Sequence, residues 1–209
     1  YTNKPVGAEI GTITKRMTLT EKSSYSIDEI KQYILDGRTI RPAYCGGKSY
    51  EWISQQMFMI DVDNGLTIDE AINKSIQINV IPSFIYTSFS HMEDHHKFRL
   101  VYVFDKEITS YKDALKIQLT LMKLFPEADE SCKNINRFYF AGREIVYQSD
   151  NIIHVDNFTL NYDDQAYNKT INNLISLMRK DGISEFSDIC TNLPTSTVQI
   201  LSDIQDSTI

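Results

Sequence analysis

Cysteine is scarce in this chain: three residues, at 45, 132 and 190, none close to another. So odd and scattered a set argues against a disulfide framework or a zinc module and fits a reducing compartment. Gly (8) and Pro (5) are also few among 209 residues, which excludes a linker-rich or collagen-like chain. No apolar run is long enough to span a bilayer and no signal-peptide pattern opens the chain, so the reading is cytoplasmic with no membrane partner. Basic residues are outnumbered, 21 against 28 acidic, giving a net charge of −7. That balance counts against a tight grip on duplex DNA, which rests on Lys and Arg neutralising phosphates. It leaves room for an enzyme with a local basic groove, since a bound cation would offset an acidic site.

What the chain does have is aromatic and hydrophobic bulk, with 12 Tyr, 10 Phe and 42% hydrophobic residues. That suffices for one substantial domain. Residues 1–150 read as the core and 151–209, richer in Asn and Asp, as a mainly helical appendage or the start of a connection to a further domain. The first residue is Tyr rather than Met, which reads as a piece of a longer protein.

Local patterns give the elements. A short hairpin is expected around 10–17. Ser26 with Glu29 is a capping box opening a helix with Ile27, Ile30, Tyr33 and Ile34 on its apolar stripe, stopped at Gly37. An extended basic segment follows, carrying Arg38, Arg41, Gly46, Gly47 and Lys48; it reads either as a solvated loop or as a contact surface for phosphates or template. Residues 58–64 form a buried strand that turns acidic at its end. Asn64-Gly65 makes a turn, and Thr67 with Glu70 caps a helix over 67–78. Strands are expected over 83–88 and 98–104 as an antiparallel pair joined by a polar loop in which His95 and His96 read as solvated. Ser110 caps a helix that Pro126 stops, 137–140 reads as a short aromatic strand ended by Ala141-Gly142, and 164–180 as a helix with Tyr167, Ile171, Leu174, Ile175 and Met178 inward. The succession predicts an α+β sheet with helices on at least one face.

Chemistry concentrates at the acidic strand end. Side chains alternate along a strand, so Asp61 and Asp63 share a face. Two such carboxylates either cap a turn or bind a hard divalent cation, which takes oxygen ligands. An EF-hand loop is excluded by spacing: Gly65 falls one place early and the bidentate Glu position holds Ile72. His91 lies where a strand pair would bring its turn near a sheet end, with Ser88 and Ser90 beside it. Arg99 sits in an apolar strand and needs a partner, either a structural ion pair or a triphosphate. Asp129 lies in a loop flanked by Glu127 and Glu130, any of which could be a third ligand, and Arg137 opens the aromatic segment.

The ordered set Ile60-Asp61-Val62-Asp63, then residues 86–91 ending in His91, then Phe98-Arg99-Leu100, then Ala128-Asp129 with Asn136-Arg137-Phe138, resembles the archaeo-eukaryotic primase superfamily. The likeness is to its primase-polymerase branch in plasmid and phage replication proteins, and covers about residues 37–143. It implies an α+β catalytic core: an RRM-like antiparallel sheet with flanking helices and an additional N-terminal α/β module. It implies Asp61, Asp63 and Asp129 as catalytic ligands of two divalent ions, Mg²⁺ or Mn²⁺, and Ser88, Ser90, His91, Arg99 and Arg137 as nucleotide-binding residues. The residue two before His91 is Phe89 where the family pattern has Ser, so Ser88 and Ser90 both remain candidates for the hydroxyl. Template contacts are expected from Arg38, Arg41, Lys48 and Lys133. The implied partners are nucleoside triphosphates, a single-stranded DNA template, and a helicase or DNA-binding domain in the full-length protein. The implied activity is templated nucleotidyl transfer; a non-catalytic nucleic-acid-binding replication initiator is the alternative. A rolling-circle nicking enzyme ranks last, because His95 and His96 are adjacent rather than flanking a hydrophobic residue.

Overall fold

The computed structural model describes residues 2–17, 22–46, 48 and 50–182. Cys190 and the expectations for 183–209 lie outside the described residues. In chain order the elements are α1 (Ala8–Met17), α2 (Ile27–Leu35), β1 (Ala43–Cys45), β2 (Trp52–Val62), α3 (Ile68–Gln77), β3 (Phe84–Ser88), β4 (Phe98–Ile108), α4 (Tyr111–Leu124), a 3-10 turn (Glu130–Lys133), β5 (Gly142–Gln148), β6 (Ile152–Ile153), a second 3-10 turn (Val155–Asn157) and α5 (Asp164–Lys180). No helix among the described residues is long and apolar enough to cross a membrane.

The result is a mixed α/β fold around one sheet, ordered β1-β2-β4-β3-β5 and antiparallel along that path. The long strand β4 lies at its centre. Where β3 begins, opposite Val101, the same edge of β4 continues and is filled by β6, which runs parallel to it at Val103 and Phe104. Period-2 alternation sorts the strands' side chains into two cores. Phe58, Ile60, Leu100, Tyr102, Phe104 and Ile85 face a large core completed by α4 and by Ile171, Leu174 and Met178 of α5. Met57, Met59, Val101, Phe84 and Tyr86 face a smaller one, closed by Ile34 of α2 with Cys132 and Tyr139. Helices therefore lie on both faces.

Caps set the helix boundaries. Ser26 Oγ accepts the Glu29 amide (3.2 Å) while Glu29 Oε2 accepts the Ser26 amide (2.7 Å). Thr67 and Glu70 repeat the exchange at 3.3 and 2.8 Å. Gly37, Gly65 and Gly182 adopt positive φ where the chain leaves or turns towards a helix.

Two expected elements are corrected. The segment around 10–17 is helix, not hairpin: Glu9 and the Lys15-Arg16 pair suit its two ends, and Thr12 and Thr14 bond back to the carbonyls of Ala8 (3.1 Å) and Ile10 (2.9 Å). The aromatic segment 137–140 is not a strand; it makes one two-bond bridge, Tyr139 with Ile40 (2.7 and 2.8 Å). The strand instead begins at Gly142, where β5 presses onto β3. A Cβ at Gly142 would fall on the Thr87 carbonyl oxygen and come within 2.5 Å of the Tyr86 ring. Gly142→Ala should therefore cost about 1–3 kcal/mol through overpacking against backbone, read as a lower urea midpoint; an unchanged midpoint would contradict this close approach.

Candidate metal centre

The site begins with an incomplete strand edge. β1 covers β2 only at Trp52, Ser54 and Gln55. Further along, the same edge of β2 carries backbone groups that need partners. The 128–139 segment supplies most of them. Tyr139 Oη donates to the Met59 carbonyl (2.9 Å), as does Gln118 Nε2 from α4 (3.0 Å). The Asp61 amide donates to Cys132 Sγ (3.3 Å), and the Asp61 carbonyl accepts the Asp129 amide (2.8 Å). Val62 and Ala128 form an antiparallel bridge. Satisfying a strand edge thus brings Asp129, 68 positions later in sequence, beside Asp61.

Side chains complete the convergence. Asp61, Arg99 and Tyr86 stand opposite one another on three adjacent strands and so project to one face. Asp61 is 3% and Arg99 7% exposed. Asp61 Oδ1 accepts from Arg99 Nε (3.0 Å) and Oδ2 from Arg137 Nη2 (2.8 Å). Arg137 Nη1 reaches Asp129 Oδ2 (3.0 Å) and the Ser131 hydroxyl. Asp129 Oδ1 accepts the Ser131 amide (2.9 Å). Burial alone would raise the Asp129 pKa; Ser131 and Arg137 outweigh it and hold the carboxyl below its ordinary 3.8. Asp63 is more exposed and pairs with Lys97 at 3.6 Å.

Ligand oxygens of Asp61, Asp63 and Asp129 all lie within 4.8 Å of one another. Three hard carboxylates that close, two of them partly exposed, fit an oxygen-seeking divalent cation. The flanking acids are engaged elsewhere: Glu127 with Lys74 (3.1 Å) and Glu130 with Lys133.

Of the other sequence-selected residues, Ser88 is buried at the end of β3, where its hydroxyl accepts the Ser90 amide (3.3 Å); Ser90 is exposed. His91 is half-buried and its Nδ1 accepts the Lys97 amide (3.1 Å). In the neutral ring this leaves the proton on Nε2. Burial first, then the neighbouring His96, lowers the His91 pKa below 6.5, so the ring is neutral at pH 7. Because the Lys97 side chain reaches Asp63, His91 is linked to the carboxylates through one residue. His96 is corrected from its solvated reading: its Nδ1 accepts the first-turn amide of Ile68 (3.1 Å), a group with no partner inside α3.

Arg99 is paired with Asp61. Besides Asp61 it donates through Nη1 to the Phe140 carbonyl (2.6 Å) and lies 3.4 Å from Tyr86 Oη. The template candidates are not gathered together. Lys133 sits in the 3-10 turn after Asp129, paired with Glu130. Arg38 is exposed and stacks on Tyr33 at 4.4 Å. Lys48 pairs with Asp181 (3.0 Å) and Arg41 turns towards the carbonyls of Met17 and Gly46 (both 3.4 Å). Gly46 and Lys48 adjoin the start of β2, whereas Asp61 is near its end, about 30 Å away at ~3.3 Å per residue.

Sequence reasoning missed Lys97, Ser131, Cys132, Tyr139 and Gln118. Lys97 carried a partial signal, since it is a basic residue directly before the expected strand 98–104; that this strand pairs with the acidic one appears only in the structure. The other four act on backbone or arginine groups whose need for partners appears only once the strand edge is known.

No known family profile matches the chain, and no curated protein matches it. Among solved structures, a similar chain is the AEP domain (PP-N190) of cyanophage S-2L Primase-Polymerase (PrimPol), at 13% identity and a TM-score of 0.44, covering 68% of this chain and 80% of that one.

Arg99→Met should strip one oxygen of the buried Asp61 carboxylate of its partner and cost about 3 kcal/mol, measured by urea denaturation. Loss of less than about 0.5 kcal/mol would show that Arg99 does not hold Asp61.

Proposed function

We propose that residues 1–150 form a primase-polymerase catalytic core of the archaeo-eukaryotic primase superfamily, acting in replication of a plasmid, phage or other mobile element. In this reading the full-length protein also carries a helicase or DNA-binding part, while β6 and α5 of the 151–209 stretch pack onto the core. The observation that carries the proposal is the meeting of Asp61, Asp63 and Asp129 within 4.8 Å from two distant parts of the chain. The succession β2-α3-β3-β4-α4-β5 has the element order of an RRM-like unit, but β5 lies beside β3 and β1 takes the place beside β2; α2 and β1 would belong to an N-terminal module.

The three aspartates would hold two Mg²⁺ or Mn²⁺ ions, which when bound stabilise the attacking and leaving oxygens of nucleotidyl transfer. Charge balance favours a triphosphate as the ligand. Without metal the three aspartates are matched by Arg99, Arg137 and Lys97. Dications added to that neutral set leave it positive, which a triphosphate offsets. His91 presents a neutral Nε2–H suited to donate to a phosphate oxygen, with Ser88 or Ser90 as the adjacent hydroxyl. Arg99 holds Asp61 in place from beneath. Arg137 supplies a planar fork at the exposed side. A single-stranded template would be met by Arg38 and Lys133 with aromatic side chains; Arg41 and Lys48 serve a more distant stretch of it.

The pairing of both Asp61 oxygens with arginines favours one competing reading: a non-catalytic initiator domain in which this network only ties the 128–139 segment to the sheet. Primer synthesis on single-stranded templates, with Mg²⁺ or Mn²⁺ and each nucleotide class, separates the two. Asp61→Ala should reduce synthesis about a thousandfold or more, the worth of several kcal/mol of metal-borne stabilisation. Undiminished synthesis by the variant removes the catalytic assignment. Absence of Mn²⁺-dependent triphosphate binding by the unaltered protein favours the initiator.

A further inference from the structure

The two arginines on Asp61 are not equivalent. Arg99 approaches from inside the sheet, and its Nη1 is fixed at 2.6 Å on the Phe140 carbonyl. Its side chain is 8% exposed, against 22% for Arg137. Arg137 lies on the 128–139 segment and spans two carboxylates with separate nitrogens, Nη2 on Asp61 Oδ2 (2.8 Å) and Nη1 on Asp129 Oδ2 (3.0 Å). Those are two of the three groups that would ligate a cation. A guanidinium bonded in this way uses the same oxygen lone pairs that a cation needs. It also places positive charge between them, which repels a cation approaching the same oxygens.

From this we infer that Arg137 is an internal counter-cation that competes with the divalent ion for Asp61 and Asp129, and that metal binding turns its fork outward to the phosphates of the nucleotide. The inference rests on reading the three aspartates as a metal centre. Arg137 keeps the carboxylates together and charge-balanced in the metal-free protein. Its remaining side-chain contacts, the Ser131 hydroxyl, Cys132 Sγ at 3.6 Å and the face of Tyr139 at 5.0 Å, come from its own segment. Once displaced, its planar donors suit phosphate oxygens. Metal and triphosphate are then linked: each vacates or occupies the partner that the other needs, so each tightens the other's binding by the same factor.

The sign of one substitution separates this from an ordinary positioning role. If Arg137 only preorganised the aspartates, its removal would weaken metal binding; a competitor's removal strengthens it. Mn²⁺ binding to the 209-residue chain, followed by electron paramagnetic resonance without nucleotide, is the test. Arg137→Gln should bind Mn²⁺ about tenfold or more tightly than the unaltered protein, the worth of a charge-assisted pair. Arg137→Lys, which keeps the charge but not the fork, should fall between. Thermal melting in EDTA and in rising Mn²⁺ covers a variant that folds poorly without metal: Arg137→Gln should melt lower in EDTA and gain more from Mn²⁺. Equal or weaker Mn²⁺ binding by Arg137→Gln overturns the competition while leaving the metal centre standing. No Mn²⁺ binding by either protein at millimolar concentration overturns both.

Discussion

The hydrogen bond from the Asp129 amide to the Asp61 carbonyl, 2.8 Å long, is the contact on which the site depends. It exists because β1 is too short to cover β2. A strand edge left open in the interior would carry unsatisfied backbone groups at a cost comparable to lost hydrogen bonds. The 128–139 segment removes that cost with donors and acceptors of several kinds: a main-chain amide from Asp129, a thiol from Cys132, a phenol from Tyr139. The segment's position is therefore dictated by ordinary backbone chemistry, and the gathering of acids follows from it.

Electrostatics then decides what such a gathering can tolerate. Three carboxylates within 4.8 Å repel one another strongly where water is scarce. Arg99, Arg137 and Lys97 neutralise them, each from a different direction. Cys132 adds no charge, since burial pushes its thiol pKa up and keeps it protonated. The arrangement is graded by depth. Asp61 and Arg99 are buried and fixed, Arg137, Lys97 and Asp129 are intermediate, and Asp63 lies nearest solvent. A ligand arriving from solvent meets the movable members first.

Much of this was legible in the sequence because it depends on local rules. Ser26 with Glu29 and Thr67 with Glu70 form capping boxes that are local in sequence, and the structure contains both. Period-2 alternation put Asp61 and Asp63 on one face without tertiary information. Asp129 was selected from the resemblance, with Glu127 and Glu130 left open beside it; the structure brings Asp129 to the other two. What escaped depends on pairing. Residues 137–140 look like a strand from their aromatic content, yet they form one bridge, and the less apolar stretch from Gly142 makes the ladder because a glycine permits its approach to β3. α1 escaped in a stretch rich in β-branched residues, which favour strands; in the structure the hydroxyls of Thr12 and Thr14 bond within the helix. Gly46 and Lys48 are near Asp61 in sequence but far along β2 in space, a separation that only the strand's length reveals.

The most direct test of the account is an anomalous-scattering map from crystals of this chain grown with Mn²⁺ and a non-hydrolysable nucleoside triphosphate. The account predicts Mn²⁺ peaks bounded by the carboxylates of Asp61, Asp63 and Asp129, with triphosphate oxygens completing the coordination and Arg137 turned towards them. A map with no peak there, and with Arg137 still joining Asp61 to Asp129, would contradict it.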